Sequence, residues 1–114
     1  MYFVVEKDRV VALDISEALR EYRENAAVHV FETVQKARTG VLSLGTPQAA
    51  VVSLSSLTEI EPEELSAIGE ISQHVVLIVD SEETLTALPP NCIIVVRPFG
   101  SSTLAAALLR LSSD

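Results

Sequence analysis

The feature that most constrains this chain is an alternation. Five short apolar runs, Tyr2–Val5, Ala27–Phe31, Ala49–Leu54, His74–Val79 and Cys92–Val96, each give way to residues with helical spacing or helix-start chemistry. After Asp8, the residues Val11, Ile15, Ala18, Leu19 and Tyr22 recur at i, i+4, i+7, i+8 and i+11, the stripe of an amphipathic helix ending near Asn25. Val34, Ala37, Val41 and Leu44 make a second stripe, stopped by Gly45-Thr46-Pro47. Pro62 in a first turn, with Glu63 and Glu64 beside it, opens a third helix carrying Leu65, Ile68 and Ile71. Ser81-Glu82-Glu83 opens a short fourth that must stop before Pro89-Pro90, and Ser101 or Ser102 caps a fifth, Thr103–Leu111, with Leu104, Leu108 and Leu111 on one stripe. Strands separated by helices are joined by right-handed crossovers. The pattern therefore predicts an α/β fold of five βα units, a parallel sheet with helices on both faces in a three-layer sandwich.

Residues 1–114 are expected to form one domain, long enough to bury a core without staples. Nearly half the residues are apolar and only 4% aromatic, so that core must be built from Val, Leu, Ile and Ala, and aromatic platforms for stacking bases are missing. A net charge of −8 repels phosphate backbones and anionic membrane surfaces, which points away from nucleic acid and membrane and toward a protein partner. Cys92 is the sole cysteine, so no internal disulfide forms and a reducing, cytoplasmic setting is expected. The opening MYFVVEKD places Glu6 and Lys7 where a signal peptide would need an apolar core, and no window has the roughly 18 apolar residues of a membrane helix.

Chemistry is expected at the carboxyl ends of the strands. The run Pro47-Gln48-Ala49-Ala50-Val51-Val52-Ser53 ends a strand buried on both faces in a serine, and Val95-Val96-Arg97-Pro98-Phe99 closes the fifth strand. With five βα units in this length, these two stretches make the whole chain resemble the receiver domain of bacterial two-component response regulators. Arg97-Pro98-Phe99 is similar to that family's Lys-Pro-Phe turn. The resemblance implies the flavodoxin-like strand order 2-1-3-4-5, with the site at the carboxyl ends of strands 1, 3 and 5.

The same resemblance marks what has been replaced. Ser53 stands where receivers carry a phosphorylated Asp, Glu6-Lys7-Asp8 where they carry their acidic, Mg²⁺-holding pair, Val79 where a Thr or Ser relays the change, and Ile94 where an aromatic switch sits. A serine hydroxyl takes no phosphoryl group without a base, and no His is expected beside Ser53. Ser53 therefore reads as an inert polar plug, with serine phosphorylation as the alternative. Mg²⁺ wants hard oxygens in strict octahedral geometry, and Lys7 supplies a competing cation, so the acidic cluster reads as salt-bridged surface and no cofactor is expected. Arg97 reads as a structural partner for Glu6 or Asp8.

The remaining constellations are sparse. His29, His74 and Cys92 fall on three different strands, so a metal cluster would need the fold to gather them. No Gly-rich phosphate loop follows the first strand and no Gly-x-Ser-x-Gly elbow surrounds a serine. Val51–Glu61 is also similar to the strand-3 region of STAS anti-sigma-factor antagonists, but Glu61-Pro62-Glu63 stands at their Asp-Ser-Ser position. The expected function is thus a pseudo-receiver: no enzyme, but a phosphorylation-independent protein-interaction module in bacterial signalling or transcriptional control. Receivers commonly pair through the fifth strand and its flanking helices. Carried onto Ser81–Leu88, Cys92–Arg97 and Thr103–Leu111, that implies a homodimer face including Leu85, Ile94, Val96, Leu104 and Leu108, eased by the small Ala105-Ala106-Ala107 run. Three alternatives are a STAS-like anti-sigma-factor antagonist, a small-effector sensor anchored by Glu6, Asp8 and Arg97, and the N-terminal domain of a longer transcription regulator. The last helix, with Arg110 alone, is no DNA-reading element.

Overall fold

The computed structural model describes residues 1–54, 62–80 and 88–112. Five parallel strands, β1 (Tyr2–Val5), β2 (Val28–Phe31), β3 (Ala49–Ser53), β4 (Val75–Val79) and β5 (Cys92–Val96), lie in the order β2-β1-β3-β4-β5. Every pairing is parallel, with Val4 opposite Val30 on one side and Val51 on the other. This is the expected flavodoxin-like order. Four helices are described, α1 (Arg9–Tyr22), α2 (Val34–Leu44), α3 (Pro62–Gly69) and α4 (Ser101–Ser112). The short helix expected over Ser81–Leu88 falls almost wholly outside the described residues.

Alternation along the strands divides the core into two layers. Tyr2, Val4, Val51 and Ile78 face one way, against Ile15 and Leu19 of α1 and Leu104 and Leu108 of α4. Phe3, Val52 and Leu77 face the other, against Ala37 of α2 and Leu65 and Ile68 of α3. The three central strands are buried on both faces, which is why they read as unbroken apolar runs. On the edge strand β2, Phe31 tilts against Phe3 with ring centroids 4.7 Å apart, and its ring lies where any β-carbon on Gly40 would intrude, at 2.5 Å. A glycine is what lets α2 approach β2 there.

Helix ends follow local hydrogen bonding. The Asp8 carboxylate accepts from the Val10 and Val11 amides to start α1, and the Thr33 hydroxyl accepts from the Lys36 amide to start α2. α1 stops at Tyr22, short of Asn25, because Arg23 turns extended and Asn25 takes a left-handed conformation. α2 ends at Gly45, whose φ of 94° favours glycine. α3 closes at Gly69, and Ile71 is buried from the turn beyond it. Before α4 the cap differs from expectation. The Leu104 amide donates to the Gly100 carbonyl at 3.1 Å, so the helix begins at Ser101 and Gly100 stands where a serine was expected.

Candidate functional site

Parallel strands deliver their carboxyl ends to one edge of the sheet, and loops leaving that edge form a crevice. Glu6 follows β1 there, held by its amide donating to the Phe31 carbonyl at 2.9 Å, while its Oε1 accepts from the Asp8 amide at 3.0 Å. Ser53 ends β3, and the Leu54 amide donates to the Ile78 carbonyl at 2.8 Å. Asp80 follows β4. Arg97 follows β5, its amide donating to the Val79 carbonyl at 2.8 Å, and the Arg97–Pro98 peptide is cis.

The Arg97 guanidinium fills the middle of this crevice. Nη1 donates to the Leu54 carbonyl at 2.8 Å and to Asp80 Oδ1 at 3.0 Å, with the Ile78 carbonyl at 3.5 Å. Nη2 donates to the Ser53 hydroxyl and lies 3.9 Å from Glu6 Oε2. One side chain thus ties together the ends of four strands. The Glu6 side chain is 13% exposed and that of Arg97 26%, so this pair is partly withdrawn from water, whereas Asp80 at 63% is a solvent-facing partner. A guanidinium is the right group for the place, since it is always charged and its planar fork satisfies several acceptors at once.

The other residues singled out from the sequence separate. Asp8 lies beside Glu6 but spends its carboxylate on the α1 cap, and Lys7 is exposed with no ion pair among the described residues. Val79 is buried in the β4 core. The Ser53 hydroxyl accepts from the Arg97 guanidinium, and among the described residues no side chain accepts a hydrogen bond from it, so they hold no nucleophile–base pair at Ser53. His29 lies edge-on to Phe3 on β2, far across the sheet from His74 before β4 and Cys92 on β5. Among the described residues no group of three His, Cys, Asp or Glu side chains is placed to hold a metal. Partial burial pushes the Cys92 thiol up to about 11, away from the thiolate form that reacts or ligates a metal.

The expected partner face needs correction. Leu104 and Leu108 are 0% and 3% exposed, packed against Ile15 and Leu19 of α1, so they belong to the core and are not available to a partner. Ile94 and Val96 are half-buried on the opposite face of β5, and Leu85 lies outside the described residues. Two contributors were missed in sequence. Asp80 is a lone acidic residue after a strand, and the Leu54 carbonyl is a backbone acceptor with no side-chain signature.

No protein-family model matches the chain, and no curated protein matches it either. Solved structures do. The anti-anti-sigma factor PhyR from Bartonella quintana, in a crystal structure of a mutant form, superposes with a TM-score of 0.71 at 16% identity over 99% of this chain. The match covers 50% of that protein, so this chain spans about half its length. The PhyR response regulator REC domain of Erythrobacter litoralis, solved by NMR, superposes with a TM-score of 0.71 at 15% identity, covering 98% of this chain and 88% of that one. At such identities the similarity is one of fold: the chain has the architecture of a response-regulator receiver. Among the described residues no helix is long and apolar enough to cross a membrane.

Proposed function

We propose that this receiver-like chain acts as a pseudo-receiver, a phosphorylation-independent protein-interaction domain of bacterial signalling or transcriptional control, working in the cytoplasm without catalysis or cofactor. The observation that carries this reading is Arg97. In a receiver the crevice must admit a phosphoryl group and Mg²⁺. Here a guanidinium bonded to Ser53, Leu54, Asp80 and Glu6 occupies the same edge, and the resemblance to receivers puts Ser53 at the position of their phosphorylated Asp. A cation bound from within satisfies the carboxylates that a metal would need, and among the described residues the hydroxyl it donates to has no base to activate it.

The test is incubation with acetyl phosphate and Mg²⁺ followed by intact-mass measurement. An unmodified mass is expected; a phosphoryl adduct removed by Ser53→Ala would overturn the reading.

Residues 1–114 are taken as one regulatory domain, and self-association through β5 is retained in narrower form. With Leu104 and Leu108 in the core, Ile94 and Val96 are the described residues left of the five singled out for that face. Attachment to an output segment is the second reading, favoured by the match to half of the longer PhyR chain. An immunoblot of the source cell separates the two: a band near 12.3 kDa favours a stand-alone module, and a much larger one a regulatory domain.

A further inference from the structure

At the opposite edge of the sheet from the Arg97 crevice, a cavity of about 270 Å³ opens where α1 ends and β1, β3 and β4 begin. Its floor is apolar. Ala49 and Leu108 are buried there, and the Tyr2 and Tyr22 side chains pack on the same core. Its rim is polar: Arg23, Gln48, Gln73 and His74 line it, and among the described residues no Asp or Glu does, in a chain that carries −8. Local charge decides what such a cavity admits. Arg23 is exposed, its guanidinium carbon lies 5.7 Å from the Tyr22 ring centroid, and it has no ion pair among the described residues, unlike Arg38 and Arg97. Its planar fork of five N–H donors is open to an acceptor. The Tyr2 phenol is pushed up by burial against the opposing pull of Arg23, so it too is a neutral donor. Hydrogen bonds below the rim hold this shape. The buried Ser72 hydroxyl donates to the Pro47 carbonyl at 3.0 Å and accepts from the His74 amide at 3.2 Å, while the Gln48 amide donates to the Met1 carbonyl at 2.9 Å. The loops that present Gln48, Gln73 and His74 are thereby pinned, and binding costs little ordering of the backbone.

A guanidinium, two carboxamides and an imidazole around an apolar floor are complementary to an anion with an apolar body. The volume lies at the small end of ligand pockets, which suits a single ring and is too tight for a nucleotide. A planar carboxylate matches the guanidinium fork, and an aromatic body finds tyrosine rings and aliphatic carbon beneath it. We propose that this cavity binds a small aromatic monocarboxylate, its carboxylate on Arg23 and its ring over Ala49 and Leu108. The site uses none of the residues on which the pseudo-receiver reading stands, and it goes beyond that reading.

The probe is benzoate, titrated into the full chain and followed by amide chemical-shift changes, with benzamide as its neutral counterpart and acetate as the carboxylate without a ring. Expected are saturable shifts centred on residues 22–23, 48–49, 73–74 and 108, with a Kd on the order of 1 mM or tighter, and at least about tenfold weaker binding of both benzamide and acetate. Arg23→Gln, which removes the fork, and Gln73→Glu, which sets a carboxylate on the rim, should each lose at least about tenfold. Both positions are exposed, so unfolding midpoints should stay at the wild-type value. Arg20→Gln makes the same charge change on α1 outside the cavity and should lose less than about threefold. Equal losses in all three variants would reduce the effect to general attraction and overturn the site. Benzamide binding as well as benzoate would overturn carboxylate recognition, and acetate binding as well would overturn the role of the floor. Shifts centred on Glu6, Ser53 and Arg97, or shifts still unsaturated at about 20 mM, would overturn the site as well. The acetyl phosphate experiment decides the pseudo-receiver reading separately.

Discussion

Arg97 holds the crevice, and its contacts set what its replacement costs. Arg97→Met leaves the half-buried Glu6 carboxylate and the Leu54 carbonyl without their charged donor, a loss of about 2 kcal/mol for hydrogen bonds of this kind. Asp80, mostly solvated, adds little to that figure. Arg97→Lys keeps a positive charge near Glu6 but cannot fork between Leu54 and Ser53, and about 1 kcal/mol is expected. Urea midpoints should fall in the order wild type, Lys, Met at an unchanged denaturant slope. Equal midpoints for all three would show that the guanidinium is not structural. Half of this site was legible in the sequence. Glu6, Ser53 and Arg97 each directly follow or end an apolar run, so their convergence at one edge follows from the parallel topology. Asp80 does the same after β4, but a single acidic residue leading into Ser81-Glu82-Glu83 reads as helix-start chemistry, and a backbone carbonyl such as that of Leu54 has no letter of its own.

At the scale of elements, periodicity identifies a stripe without identifying what covers it. Leu104 and Leu108 on α4 are spaced as either a core face or a partner face would be, and the deciding fact is that α1 lies beside α4 and presents Ile15 and Leu19 to it. The strands were easier to read, because a run buried on both faces has no alternative cover. Helix ends were harder: Gly100 caps α4 with its carbonyl, which its side chain could not announce, and Asn25 redirects the chain after α1 by backbone conformation. The corrected role of α4 makes a prediction. Leu104→Ala removes a fully buried side chain and should cost about 3 kcal/mol of unfolding free energy, with no change in sedimentation at concentrations where the chain stays folded. An interface leucine would do the reverse, altering self-association while leaving the unfolding midpoint of dilute protein in place.

For the molecule as a whole, the charge of −8 acts against the proposed self-association. Two copies meeting through β5 bring like charges together, so their association is opposed at low ionic strength and relieved once the screening length shrinks. The screening length falls from nearly 20 Å at about 30 mM salt to about 6 Å at about 300 mM, which spans the distances involved. Sedimentation across this range should therefore show dimer formation at lower protein concentration as salt rises. Fully screened, what remains to hold the contact is the apolar surface that β5 leaves half-buried, Cys92, Ile93, Ile94 and Val96. A chain that stays monomeric at every salt concentration up to several hundred micromolar rules out the β5 dimer.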